Sequence, residues 1–404
     1  MRRAGKILSA VGIAGAMSAS VDVCRAQIAE TWTISDDVTV EATNTAADIS
    51  VVAESGTLMS APAIADGSRN TISASAIGAS AAISHSSTST QDTAIAGTID
   101  GATTISAINL GGAVTVSGAI DGALIEQGHD NTIAASAVGA SAQFAVTDSV
   151  LEGAAMDRAL AVNGDVTVYA ENAGAVTVGT DVGTNGDGPQ ITGGTRNAFT
   201  VSAIGASAGV STLAVVDGGT YTADIALGVD SQISVTALNR GDVTLGSTDD
   251  PASSATLSGA TLGPDSIDGT ISFNAVGASG ALTSTTLIYA GSADANVAFG
   301  DVSFDIENTG NVSANVSISD VSVDGRNSIS TGAVGSSVSN SARVISYSGE
   351  GTATNGTIGA VTFQSVNAGS IIAVSGMSAP TIAGGIGLSI SVAAVGASAG
   401  FALP

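Results

Sequence analysis

Short stretches in which apolar and polar residues alternate recur along the whole chain, as in VTVEATN at residues 38–44 and VTVYAEN at residues 166–172. Alternation of this kind, rich in Val, Ile and Thr, is typical of β-strands with one buried face. Each stretch is followed by a second one, and the asparagine between them tolerates the positive φ of a turn. The pattern predicts strand–turn–strand modules. Their turn asparagines are Asn44, Asn109, Asn172, Asn239, Asn308 and Asn367.

A second phrase of small residues, SAIGASA at residues 75–81, returns with small changes between these modules. Its central glycines are separated by 61, 66, 72, 58 and 61 residues, so six units of about 60–70 residues fill the chain. Repeats of this length cannot bury an apolar face alone and must stack. We predict an all-β fold, an elongated β-solenoid or a stack of strand–turn–strand repeats, with these glycines also at repeat turns. The glycines are Gly78, Gly139, Gly205, Gly277, Gly335 and Gly396.

The two halves of each unit differ in how constant their length is. From each of these glycines to the next of the asparagines the chain runs 31–34 residues, whereas from each asparagine to the following glycine it runs 27–38 residues. The constant interval predicts paired strands, and the variable interval predicts a loop. Proline removes a hydrogen-bond donor from a strand, so its distribution supports this division. Apart from Pro404, the prolines all fall in the variable interval: Pro62, Pro189, Pro251, Pro264 and Pro380.

The N-terminus has the pattern of a secretory signal peptide. A basic segment at residues 2–6 precedes an apolar stretch at residues 7–20 that is too short to span a bilayer. We predict a signal peptide over residues 1–26 and a repeat domain over residues 27–404. The single cysteine, Cys24, precedes this boundary, so the predicted mature chain has no disulfide.

The charge of the chain limits its partners. The 35 acidic and 10 basic residues give a formal net charge of −25 at pH 7. Such an excess of acids repels nucleic acids and anionic lipid headgroups. We therefore predict no nucleic-acid partner.

Two copies of the small-residue phrase match the G-x-S-x-G pattern of serine hydrolases, at residues 205–209 and 396–400. That pattern needs a strand-to-helix turn and a histidine later in the chain. Both histidines, His85 and His129, precede Ser207, and neither has the spacing to other ligands that a metal site needs. The sequence predicts no catalytic residue, no cofactor and no metal site.

Three arginines share one repeat position, directly before an asparagine: Arg69, Arg196 and Arg326. One interpretation makes them turn residues whose guanidinium groups offset nearby acids such as Asp66 and Asp324. The other makes them a cationic row that contacts an anionic glycan.

The last unit differs from the others in charge, because residues 351–404 contain no Asp, Glu, Lys, Arg or His. Stacked repeat proteins usually cover their ends with polar groups, since an uncovered end promotes further stacking. We predict that this unit docks, either onto a neighbouring subunit by self-association or onto an outer-membrane partner.

Units of the form N-x-I-x-x-S-A-V-G-x-S-A alternate with N-x-G-x-V-T-V behind a signal peptide. This arrangement resembles the curli-related surface proteins of alphaproteobacteria, and among these the holdfast anchor proteins of stalked bacteria. The resemblance implies export through a curli-type outer-membrane secretion channel and a role in fixing adhesive polysaccharide to the cell envelope.

Together these observations predict an exported, non-catalytic protein of the Gram-negative cell surface. It would be an adhesin or anchor whose partners are extracellular polysaccharide and an outer-membrane secretion or anchoring protein. Two alternatives remain open. An outer-membrane β-barrel pore needs aromatic girdles, but aromatic residues make up 3% of the chain. A β-helical polysaccharide-degrading enzyme needs carboxylates that face one cleft, but the acids are spread over all units except the last.

Overall fold

A computed structural model gives the architecture of the chain and describes residues 28–184, 186–247, 254–346, 350–357, 360–383 and 389–402. The predicted signal peptide, residues 1–26, lies outside these ranges. Within them the chain consists of β-strands and connecting turns, without a helix.

The strands wind into six successive coils, and each coil has five strand positions. The first coil contains β1 (Ile28–Ile34), β2 (Val38–Asn44), β3 (Ile49–Ser60), β4 (Ala63–Ile64) and β5 (Thr71–Ser89). The second contains β6 (Thr93–Ile99), β7 (Thr103–Asn109), β8 (Val114–Asp121), β9 (Leu124–Ile125) and β10 (Thr132–Leu151). The third contains β11 (Ala155–Val162), β12 (Val166–Asn172), β13 (Val176–Gly179), β14 (Gln190–Thr195) and the start of β15 (Ala198–Asn239).

Strand β15 continues through the first two positions of the fourth coil. There the third position is divided into β16 (Val243–Gly246) and β17 (Ala255–Ser258), and β18 (Thr261–Asn308) supplies the fourth and fifth positions. Strand β18 likewise enters the fifth coil, which is completed by β19 (Val312–Ser319), β20 (Ser322–Asp324) and β21 (Arg326–Ser346). The sixth coil contains β22 (Glu350–Thr357), β23 (Val361–Asn367), β24 (Ile371–Ser378), β25 (Thr381–Ala383) and β26 (Ser389–Ala402).

Equivalent strands of neighbouring coils pair in parallel, and the repeated phrases lie in register. Ser136 of the second coil pairs with Ser75 of the first coil and with Ser202 of the third. Hydrogen bonds between coils therefore run along the axis of the stack. The predicted all-β solenoid is confirmed, and its parallel pairs differ from the antiparallel neighbours that the pore hypothesis requires.

Each coil contributes to two separate apolar cores. The first core lies between the first and second strand positions and the second half of the fifth, and it contains residues such as Leu160 and Val168. The second core lies between the third and fourth positions and the first half of the fifth, and it contains residues such as Val178 and Ile191. The fifth strand therefore borders both cores, each with a different half.

In the fifth strand, the buried residues have odd numbers before the glycine and even numbers after it, or the reverse. In β10, Ala135 and Ala137 lie in the second core, whereas Ala140 and Ala142 lie in the first core. Side chains of a regular strand alternate between its two faces, so the change from odd to even numbers at Gly139 turns opposite faces toward the two cores.

The predicted role of the glycines as turn residues is wrong. All six, Gly78, Gly139, Gly205, Gly277, Gly335 and Gly396, lie inside the fifth strand of a coil, and none of them has a positive φ. The six asparagines do end the second strand of each coil beside a turn, but they do not have positive φ either. Positive φ falls instead on residues such as Arg69 (58°), Asp130 (56°) and Arg196 (56°). Glycine and asparagine must serve another purpose.

The variable interval contains the third and fourth strands and the turns around them, in agreement with the predicted loop. Pro62, Pro189 and Pro380 lie in turns, and Pro264 lies in β18 beside a shift in its register with β14. Pro251 lies outside the described residues.

Candidate functional site: two side-chain ladders along the axis

The six asparagines that end the second strands form one hydrogen-bonded column, which we call the asparagine ladder. In the first five coils, the Nδ2 of the asparagine donates to the Oδ1 of the asparagine in the following coil, at distances of 2.7–2.9 Å. Each Nδ2 also donates within its own turn; Asn172, for example, bonds Gly174 O at 2.8 Å. Inside the stack both amide hydrogens and the oxygen are thus satisfied, so the buried amides carry no unpaired polar atom.

The glycines of the second phrase make room for this ladder. A Cβ built on Gly139 would overlap the Asn172 amide, and one on Gly205 would overlap the Asn239 amide. The two repeated phrases, about 30 residues apart in sequence, therefore meet in space. Close approach of an amide to the strand explains why glycine recurs there.

A second column runs along the turns between the fourth and fifth strands. It alternates in charge from coil to coil and consists of Arg69, Asp130, Arg196, Asp268 and Arg326, which we call the charged ladder. Arg196 Nη2 lies 3.3 Å from Asp130 Oδ1, and Arg326 Nη2 lies 3.1 Å from Asp268 Oδ1. The three arginines predicted to contact a glycan therefore lie on one side of the solenoid, with a carboxylate between each two.

The acids that pair with these arginines differ from the ones expected. Asp66 and Asp324 instead accept hydrogen bonds from the next backbone N–H in their own turns, at 2.6 and 2.7 Å. The guanidinium of Arg69 donates to Ser149 Oγ at the end of the fifth strand. The partner carboxylates come from neighbouring coils, which sequence proximity does not reveal.

An aromatic pair adjoins the charged ladder. The rings of His129 and Tyr289 stack with their centroids 3.9 Å apart, and Tyr289 donates a hydrogen bond to Asp130 Oδ2 at 2.6 Å. His129 Nε2 lies 3.8 Å from Asp217 Oδ2. The sequence did not predict Tyr289 and Asp217 as members of this site, because each lies in a different coil and neither belongs to a repeated phrase.

An open groove lies on the same turns. It has a volume of about 780 Å³ and extends from Ala65 in the first coil to Asp265 in the fourth. Its middle is formed by Gly128 and Gly194, each two residues before a member of the charged ladder. The groove and the ladder together form a long site parallel to the axis, which we call the axial site.

A separate ionic group is buried in the first core. The side chains of Arg158 and Asp148 are each 1% exposed, with 3.6 Å between Nε and Oδ2, and Tyr221 donates to Asp148 Oδ2 at 2.8 Å. Burial raises the pKa of Asp148, and the Arg158 guanidinium opposes this shift. Burial also lowers the pKa of nearby His85, and Arg158 adds to that effect. The guanidinium nitrogens of Arg158 have no hydrogen-bond partner among the described residues.

Many of the remaining acids hold turns of adjacent coils together. The Oδ1 atoms of five aspartates accept hydrogen bonds at 2.7–3.0 Å from backbone N–H groups one coil further along. These residues are Asp37, Asp48, Asp165, Asp242 and Asp301. Spread over the stack in this way, the acids do not converge, and the described residues contain no group of three or more potential metal ligands.

The G-x-S-x-G matches lie in strands rather than at a strand-to-helix turn. Ser207 lies inside β15, where it pairs with Ser141 and Ser279 of the neighbouring coils. A nucleophile elbow exposes its serine on a sharp turn, so this geometry does not support a serine hydrolase.

Comparison with protein-family models, curated proteins and solved structures found no match to this chain. Among the described residues, no helix has the length and apolar character needed to cross a bilayer.

Proposed function

We propose that the protein is a non-catalytic structural protein of the bacterial cell surface, an adhesin or anchor that holds adhesive polysaccharide to the envelope. The observation that carries this proposal is the axial site, a groove and a charged ladder that extend over several coils. A linear site of this kind suits an extended polymer better than a small molecule, which would be enclosed in a pocket.

The spacing of the arginines supports a repeating ligand. Neighbouring strands lie about 4.8 Å apart, so arginines in alternate coils recur at roughly 9.6 Å. An extended β-linked glycan repeats over a comparable length with every second sugar. Arg69, Arg196 and Arg326 could therefore contact equivalent groups of successive disaccharides.

Electrostatics also favours this side of the molecule. Elsewhere the chain is strongly acidic and repels anions, whereas the charged ladder is locally balanced because aspartates alternate with arginines. The Arg326 side chain is 64% exposed and can take a second acceptor beside Asp268. Glycan hydroxyl or carboxylate groups are acceptors of this kind.

The proposal includes export and attachment. A signal peptide over residues 1–26 would direct the chain out of the cytoplasm, and an outer-membrane secretion or anchoring protein would hold it at the surface. The polysaccharide would then bind along the exposed side of the solenoid.

Replacement of Arg69, Arg196 and Arg326 by Ser tests the glycan contact. We expect unchanged secretion and a thermal midpoint only slightly below that of the wild type, because the Arg326–Asp268 pair is exposed and the Arg196–Asp130 pair is only partly buried. We expect retention of polysaccharide on the cell surface to fall severalfold, measured with a labelled lectin on intact cells.

Arg240→Ser is the matched control, because Arg240 is also an exposed arginine that pairs with an acid, Glu171, but it lies outside the axial site. Equal retention by the triple variant and the wild type would refute the glycan contact. Loss of retention in the Arg240 control to the same extent would show that surface charge in general, rather than this site, is responsible.

A further inference from the structure

The two ends of the solenoid leave core residues uncovered. Ile318 and Val323 of the fifth coil are fully buried, but their partners in the sixth coil, Met377 and Ile382, are 48% and 56% exposed. The sixth coil pairs with the fifth on one side, and no described strand pairs with its other side. At the opposite end, no described strand pairs with the outer side of the first coil, and its Val40 and Val51 are half-buried.

The asparagine ladder gives these ends opposite hydrogen-bonding character. Asn367 of the sixth coil donates to Gly369 O at 2.8 Å, and its other amide hydrogen has no acceptor among the described residues. Asn44 of the first coil accepts from Ala47 N–H at 3.1 Å, but its Oδ1 receives no asparagine amide from the described residues. The solenoid therefore presents an unused amide N–H of Asn367 at its sixth coil and an amide oxygen of Asn44 at its first coil.

Charge distinguishes the ends further. The first coil carries Glu30, Asp36, Asp37, Glu41 and Asp48, whereas residues 351–404 are uncharged. Contact between two first coils would bring acids against acids and acceptor against acceptor. Contact between two sixth coils would bring donor against donor. Only contact of a sixth coil with a first coil matches a donor to an acceptor without like-charge repulsion.

We propose that the sixth coil of one copy stacks on the first coil of a second copy and continues the parallel sheets, both cores and the asparagine ladder across the junction. An unpaired sheet edge is a template for such an addition. The partner of the docking unit is then another copy of this chain. This inference rests on the fold and is independent of polysaccharide binding, so the two proposals can fail separately.

The register within the chain predicts which residues meet at the junction. Ile372 occupies the same place in its coil as Ser50 in the first coil, and Val366 occupies the same place as Thr43. In the stacked pair their Cα atoms would be about 4.8 Å apart, which lies within the range that a disulfide spans. Gly396 would lie against the Asn44 amide of the next copy.

Disulfide cross-linking between two single-cysteine variants tests this register. In a Cys24→Ser background, Ile372→Cys is mixed with Ser50→Cys, and Val366→Cys is mixed with Thr43→Cys, under a mild oxidant. We expect both matched mixtures to form disulfide dimers at least about tenfold faster than the crossed mixtures, Ile372→Cys with Thr43→Cys and Val366→Cys with Ser50→Cys. Dimers are counted on non-reducing gels.

Gly396→Ala gives a second test that does not depend on cysteines. Among the described residues of the same chain, no atom lies nearer to the added Cβ than Asn367 Nδ2 at 3.9 Å, so the variant should fold, but it would clash with Asn44 of the next copy. We expect wild-type circular dichroism and loss of the larger species in sedimentation, with Gly400→Ala as the control. No disulfide in the matched mixtures, equal rates in crossed mixtures, or assembly of Gly396→Ala like the wild type would overturn the proposal.

Discussion

At the scale of single residues, a small set of polar and small side chains organises the interior. A buried asparagine costs free energy unless its hydrogen bonds are made, and each ladder asparagine inside the stack makes them with its own turn and with its neighbours. The facing glycine is the condition for this arrangement, because any side chain there would push the amide away. The phrase that contains the asparagine and the phrase that contains the glycine thus supply the two sides of one contact.

Gly205→Ala tests that contact. Its Cβ would overlap the Asn239 amide, so we expect the free energy of unfolding to fall by about 1–3 kcal/mol. The measurement is denaturant unfolding followed by circular dichroism at dilute concentration. Gly396→Ala is the matched control at the same repeat position, and we expect a change of less than about 0.5 kcal/mol. Equal losses in both variants would contradict the packing explanation.

Residue roles were only partly predictable from the sequence. The repetition of Asn and Gly was visible, but glycine serves both positive φ and close approach, and the sequence does not distinguish these uses. The contact between Tyr289 and Asp130 joins positions 159 residues apart and depends on how coils stack. A repeat pattern predicts that coils stack, but it does not specify which non-repeated side chains then meet.

At the scale of strands, the fifth strand of each coil borders the second core with its first half and the first core with its second half. Asp148 at the end of β10 and Arg158 in β11 form their ion pair across the turn that joins these strands. Phrase spacing predicted stacked strand–turn–strand repeats, but it did not predict parallel pairing or the number of strands per coil. Five positions per coil were not predictable, because the short fourth strands carry almost no alternating pattern.

Substitutions at this ion pair test what it contributes. Asp148→Leu or Arg158→Met alone leaves one charge buried without its partner, and we expect each to lower the free energy of unfolding by about 3–5 kcal/mol. The double variant removes both charges, so we expect stability within about 1 kcal/mol of the wild type or above it. Thermal and denaturant unfolding of the four proteins give the comparison.

The exposed Arg326, replaced by Ser, is the control, with an expected change below about 1 kcal/mol. Additive losses in the double variant would mean that the two side chains act independently.

At the scale of the whole molecule, the described strands of each coil pair with strands of the coils before and after it. Acids hold successive turns together, and the same five strand positions repeat, so the stack has no single centre. Sequence periodicity was sufficient to predict this architecture. The charge asymmetry of the last unit was also visible, whereas the direction of the asparagine ladder required coordinates.

Removal of one complete coil should therefore be tolerated. Deletion of residues 206–277 joins Gly205 to Ala278, and Ala206 and Ala278 are paired equivalents. We expect a folded protein whose length is shorter by about 4.8 Å, with unchanged strand content and cooperative unfolding. Circular dichroism and small-angle scattering provide the measurements.

Deletion of residues 206–241 is the control, because it removes only part of a coil and joins strand positions that do not correspond. We expect this variant to aggregate. Misfolding of both deletions alike would show that the coils are not interchangeable units.

The axial direction of the hydrogen bonds also determines how the molecule carries tension. When its two termini are pulled apart, an end coil yields first, since only one neighbour holds it. Each such release frees 58–72 residues, and a freed stretch of this length adds roughly 200 Å of extended chain. The remaining stack presents an equally well-bonded new end, so a tether of this design dissipates mechanical work in successive steps instead of breaking at one point.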